Sequence, residues 1–181
     1  MDATNVTPDG EPILFQSRIF SVVERTQVGR SGKILKRQVV KHPGAVAIVP
    51  ILPDGRVLLI EQYRVALQKT IFEVPAGTRE VGEEPLATAT RELIEETGYS
   101  AGKIERLTAI YSSPGILQEE LILYLATDLT PGESALEDGE KIELRPKTWD
   151  EIDAMIAAEE IVDAKTLVAL LLARQTLEGK R

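Results

Sequence analysis

The sequence has no cysteine among its 181 residues, which excludes disulfides, thiolate metal sites and a cysteine nucleophile. It has one histidine, His42, so neither a histidine-based metal centre nor a Ser-His-Asp triad has its parts. His42 precedes Pro43 and Gly44 and reads as a turn residue. Aromatic residues make up only 4%. No apolar run approaches the ~20 residues of a membrane helix. The opening stretch, MDATNVTPDGEP, lacks the basic and apolar regions of a secretory signal, so a cytoplasmic protein without a membrane partner is expected. Basic residues number 21 against 29 acids, a net charge of −8. A nucleic-acid surface wants the opposite sign, so no nucleic-acid partner is expected. An acidic protein that handles polyphosphates needs cations as intermediaries.

What the chain does have is concentrated between Gly77 and Tyr99. Pro85 can occupy the first turn of a helix, where its missing N–H costs nothing. Leu86, Ala89 and Leu93 recur at helical spacing, and Gly98 is a helix stop, so a helix is predicted over 85–97. Glu92 and Glu96 lie one turn apart on it, with Glu95 beside them. Like charges at this spacing cost a helix a few tenths of a kcal/mol. Arg91, four residues before Glu95, offsets part of that. A divalent cation between the carboxylates would relieve the rest, and hard ions such as Mg²⁺ take oxygen ligands and bring substrate phosphates with them. The Gly-bounded loop 77–84 can bring Glu83 and backbone carbonyls to the helix.

Taken in order, residues 1–12 are polar and turn-rich, and disorder is expected there. Residues 13–43 read as a small antiparallel sheet, with Phe15 and Phe20 either in its core or stacking on a base. Such a sheet is marginal alone and must pack on something. Residues 44–181 read as the main domain. Ala45–Leu52 and Arg56–Arg64 are predicted as the two arms of a hairpin turned by Pro53-Asp54-Gly55. Further strands are predicted over 70–75, 104–111, 120–126 and 142–147, the last an edge strand that tolerates Pro146. Thr148 and Glu151 form a capping box for a helix with Ile152, Met155 and Ile156 on its apolar face. Trp149, inside that box, reads as helix packing. Asp163 can cap a last helix, where Leu167, Leu170 and Leu171 face inward. The irregular alternation makes the class α+β, a mixed sheet between helices.

The string from Gly77 to Tyr99 fits G-x5-E-x7-R-E-U-x-E-E-x-G-U at every position, with U a bulky apolar or aromatic residue. With fixed residues at roughly 5–10% usage each, such a match arises by chance on the order of once in a million. The chain thereby resembles the Nudix hydrolases. The segment Glu73-Val-Pro-Ala-Gly77, Pro114 sixteen residues after Gly98, and the strand segment before the domain resemble the ADP-ribose pyrophosphatase branch. The resemblance implies a Nudix αβα sandwich with a small N-terminal β-sheet exchanged in a homodimer. It implies hydrolysis of ADP-ribose to AMP and ribose 5-phosphate with Mg²⁺ or Mn²⁺. It would put metal on Glu92, Glu95, Glu96 and the Ala76 carbonyl, with Arg91 orienting the carboxylates. It would put Arg64, Glu73, Gly77, Arg37, Pro114 and Gly115 by the substrate. Arg37 stands where one relative has a stacking Trp.

The resemblance implies a base on the acidic loop 128–141. Glu140 is the first choice and Asp138 the second, according to how that loop is aligned with relatives, and a solvated charge cluster with no chemical role is the alternative. The alternatives within and outside this chemistry are another nucleoside diphosphate sugar such as GDP-mannose, a non-catalytic ADP-ribose-binding sensor, and a nucleoside triphosphatase.

Overall fold

The structure is a computed structural model and describes residues 6–136 and 141–180. These form two compact units. The first runs to Gly44 and includes Tyr111–Glu120. It holds β1 (Ile13–Gln16), β2 (Ser21–Val28) and β3 (Ile34–Lys41), paired antiparallel in that order. The second unit follows from Ala45, with β4 (Ala45–Pro50), β5 (Val57–Arg64), β6 (Lys69–Glu73), β7 (Ala76–Thr78), α1 (Pro85–Thr97) and β8 (Tyr99–Ile110). A short β9 (Leu117–Gln118) belongs to the first unit, where it runs parallel to β3. The second unit closes with β10 (Leu121–Pro131), β11 (Ile142–Lys147), α2 (Trp149–Ala157) and α3 (Ala164–Leu177).

The second unit is built on a mixed sheet in the order β7-β4-β10-β8, parallel between β4 and β10 and antiparallel elsewhere. Strand β4 is buried along its whole length. Successive side chains of a strand point to opposite faces. Ala45, Ala47 and Val49 therefore join Leu121, Leu123 and Leu125 of β10 in a core with Ile152 of α2 and Ala169 and Leu170 of α3. Val46 and Ile48 join Ile122 and Tyr124 in a second core with Ala89 and Leu93 of α1. A sheet apolar on both faces needs a helix layer on each, and the αβα sandwich follows.

The helix expected over 85–97 is α1, with Pro85 at its start and Gly98 as a left-handed cap at φ 74°. The Thr148–Glu151 capping box and the Asp163 cap both form. The expected hairpin does not. Only Ile51 and Val57 bridge; β4 pairs with β7 and β10, whereas β5 pairs with β6 and β11. Pro50 removes a ladder donor at the turn, and two strands apolar on both faces carry no alternation to fix their pairing. Three expected core residues lie outside: Leu86 is 50% exposed, Leu171 57% and Ile156 38%. Strand β8 starts at Tyr99, five residues before its expected start. Within residues 6–12, Val6 bridges Pro12 and Glu11 is paired to Arg25 and Lys41. Arg25 first, then Lys41, holds the Glu11 carboxyl down to about 2.

Candidate active site

The signature residues come together around α1 and the loop before it. Arg91 stands at the centre. Its Nε and Nη2 donate to Glu83 at 3.1 and 3.2 Å. Its Nη1 donates to Glu92 at 2.6 Å and to Glu95 at 2.8 Å. One guanidinium thus gathers three carboxylates from the loop and the helix. The Arg91 hydrogen bond, with the Glu80 N–H next in weight, holds the Glu83 carboxyl down to about 2. The same carboxylates push the Arg91 guanidinium above its ordinary value, Glu83 first.

Glu96 is buried and accepts from the Ala76 N–H at 2.9 Å. That bond joins the last turns of α1 to β7. Gly77 is shaped by the same approach: a Cβ there would lie 1.8 Å from the Glu92 carboxyl carbon. The absent side chain makes the room in which the Glu92 carboxylate sits. Ala76, Gly77, Glu92, Glu95 and Glu96 are therefore one constellation, with Arg91 and Glu83 as its clamp. Its donors are carboxylate and carbonyl oxygens, the set preferred by hard divalent cations. Four carboxylates, Glu83, Glu92, Glu95 and Glu96, against one guanidinium leave negative charge for such an ion to neutralise. Among the described residues no three acids stand ready-made around an ion position. The Arg91 bonds engage one oxygen each of Glu92 and Glu95, and the donor chemistry fits the ion.

Arg64 and Glu73 lie together in the same unit. The Arg64 Nε and Nη2 each donate to Glu73 at 2.6 Å, and Glu73 is 1% exposed. Glu73 raises the Arg64 pKa above its ordinary value, with smaller contributions from the charges of Glu96 and Asp163. Sequence reasoning missed Lys165, which also donates to Glu73. The one signal was a cation in the first turn of α3, where the helix dipole favours anions.

Arg37, Pro114 and Gly115 lie in the first unit, and all three are exposed. Phe15 and Phe20 pack on each other with ring centroids 6.0 Å apart, yet both remain exposed. His42 lies in the irregular stretch after β3, with its Nδ1 3.2 Å from Glu119. Trp149 packs against the core, with Arg174 4.7 Å over its ring. Glu140 and Asp138 lie outside the described residues. The chain before them is tied to α1: Gly132 N–H donates to Gly98 O at 2.6 Å and Ala135 N–H to Glu95 O at 3.0 Å.

A family model described as NUDIX domain matches residues 41–171. An ADP-ribose pyrophosphatase of Bacillus subtilis (strain 168) is 42% identical over 142 residues, 77% of each chain. A methanol dehydrogenase activator of Bacillus methanolicus matches with the same identity and coverage. A GDP-mannose pyrophosphatase of Yersinia pestis (strain Pestoides F) is 29% identical over 156 residues, 81% of this chain and 78% of the relative. Among solved structures, an ADP compounds hydrolase superposes with a TM-score of 0.79 at 25% identity, over 94% of this chain and 95% of that one.

Proposed function

The chain belongs to the NUDIX domain family, a hydrolase family that uses divalent metal ions, and from that premise we propose that it hydrolyses ADP-ribose to AMP and ribose 5-phosphate. The observation that carries the proposal is the constellation on α1. Glu92 fills the room beside Gly77, Glu96 is fixed by the Ala76 N–H, and Arg91 holds the outer carboxylates. The choice of ADP-ribose is supported by the name of the Bacillus subtilis relative.

The reaction is attack of water on one phosphorus of the diphosphate, with cleavage of the bridging P–O bond. Glu92, Glu95, Glu96 and the Ala76 carbonyl would hold Mg²⁺ or Mn²⁺. The ion, when bound, neutralises charge on the diphosphate and makes water easier to deprotonate. Arg91 keeps Glu92 and Glu95 oriented and limits their mutual repulsion. Arg64 contacts a substrate phosphate with the N–H groups that Glu73 leaves over. Glu140 takes the proton from the attacking water, with Asp138 as second choice. The ties from Gly132 and Ala135 to α1 support a base arriving from this loop. Gly77 is a further substrate contact in the same unit, and Arg37, Pro114 and Gly115 are the substrate contacts that the resemblance to the ADP-ribose pyrophosphatase branch implies.

The functional form is a homodimer through residues 13–43, in the cytoplasm, with no nucleic-acid partner. Exposed Leu14, Phe15, Val28 and Ile34 on the small sheet support that interface. Among the described residues no helix is long and apolar enough to cross a membrane. A second reading, hydrolysis of GDP-mannose or a similar nucleotide sugar, is favoured by the Yersinia relative. The test is a panel with Mg²⁺: ADP-ribose, GDP-mannose, ADP-glucose, NADH and a nucleoside triphosphate. The proposal expects the highest kcat/KM for ADP-ribose. A higher value for GDP-mannose replaces the substrate and keeps the chemistry.

A further inference from the structure

A second charge group in the same unit joins β5, β6 and α3. Arg64 ends β5, Glu73 ends β6, and Lys165 lies in the first turn of α3. The buried Glu73 carboxylate is held from two sides, by the Arg64 fork and by Lys165 Nζ. Lys165 also donates to Asp163 at 2.9 Å. Asp163 in turn accepts from the Thr166 N–H at 3.0 Å, and Thr166 Oγ1 accepts from the Val74 N–H at 3.0 Å. The start of α3 is therefore fastened to the chain after β6 at two adjacent residues, Glu73 through Lys165 and Val74 through Thr166.

Arg64 and Lys165 stand against two carboxylates, Glu73 and Asp163, so the group is neutral as a whole. Asp163 both caps α3 and pairs with Lys165. A guanidinium has five N–H donors. Glu73 occupies only the Nε–Nη2 edge, and the Arg64 side chain stays 37% exposed. With Lys165 in place, Arg64 shares the compensation of Glu73 and keeps the guanidinium edge that Glu73 leaves for an anion. Without Lys165, Arg64 alone must hold the buried Glu73 charge.

We propose that Lys165 is a positioning residue for the substrate diphosphate: it holds Glu73 from the α3 side, and Glu73 presents Arg64 to the phosphate. The inference rests on the reading above in which Arg64 contacts that phosphate. Lys165 itself touches neither substrate nor metal, so its effect runs through Arg64.

The test is a double-mutant cycle on the full-length enzyme with Mg²⁺ and ADP-ribose. Lys165→Met is expected to raise KM by about tenfold while kcat stays within about threefold, the split of lost ground-state binding. Lys165→Arg, which keeps the charge, is expected to restore most of the loss. In an Arg64→Ala background, Lys165→Met is expected to add nothing. Circular dichroism checks folding, and Lys165→Gln stands in if the Met variant is insoluble. The inference is overturned if KM is unchanged in both neutral variants, or if the Lys165 loss is as large without Arg64 as with it. If Arg64→Ala leaves KM unchanged, the phosphate role of Arg64 falls, and this inference with it. A raised KM in Arg64→Ala beside an additive Lys165 effect sinks the inference alone.

Discussion

Replacing Gly77 with alanine should separate activity from stability. No left-handed φ holds this residue, so alanine meets no backbone strain there. What it meets is Glu92. The new Cβ would lie 1.8 Å from the carboxyl carbon and 2.0 and 2.3 Å from its oxygens, where ordinary contact begins at 3.4 Å. The carboxyl carbon must therefore retreat by about 1.6 Å (3.4 less 1.8). A side chain pushed off its rotamer costs about 0.5–1.5 kcal/mol, and for a chain of this size about 1 kcal/mol lowers Tm by roughly 2–4 °C. A misplacement of about 1 Å at a reacting site costs about 100-fold in rate. Gly77→Ala is thus expected to lose at least about 100-fold in kcat/KM for ADP-ribose while Tm falls by only a few degrees. Gly82→Ala is the control from the same loop. It sits at φ +83° with nothing within 4 Å of its Cβ. It should cost about 1–2 kcal/mol of backbone strain and leave turnover near normal. Steady-state kinetics and a thermal melt on both variants decide the matter. A Gly77→Ala enzyme within threefold of the parent would refute the assignment of the Glu92 position to catalysis.

Other outcomes follow from the same geometry. Glu140→Gln is expected to lower kcat far more than it raises KM; turnover near the parent value would remove Glu140 from the role of base. The Glu83 carboxyl is held at about 2, below its ordinary 4.5, chiefly by Arg91. A depressed pKa contributes stability that is complete above the unfolded value and is lost as pH falls through the folded one. The stability difference between the parent and Glu83→Gln should therefore shrink between pH 4.5 and 2 in acid titrations followed by denaturation. A difference that stays constant over that range would show that Arg91 does not hold this carboxylate. Leu93 is fully buried between α1 and the sheet, so Leu93→Ala should cost about 2–5 kcal/mol in chemical denaturation. A loss below about 1 kcal/mol would mean that α1 packs differently.

The site was more legible in the sequence than the topology. Glu92, Glu95, Glu96 and Arg91 share one helix, so their spacing alone brings them together, and Pro85 and Gly98 mark its ends. Gly77 was visible as a motif letter, but its reason, the room taken by Glu92, needs three dimensions. The pairing of β4 and β5 could not be read, because a strand apolar on both faces carries no periodicity. The exposed Leu86, Ile156 and Leu171 sit at helical spacing with buried residues. Spacing sets the stripe but not how far the covering layer reaches. Lys165 and Glu73 are distant in sequence, and only the packing of α3 on the sheet makes them partners.

The most direct test of the central claim is turnover of ADP-ribose by the parent and by Glu96→Gln, with product identification, in Mg²⁺ and again after chelation. The account predicts AMP and ribose 5-phosphate from the parent, only with the metal, and a loss of orders of magnitude in the variant. Equal turnover by the variant, or undiminished turnover after chelation, would contradict it.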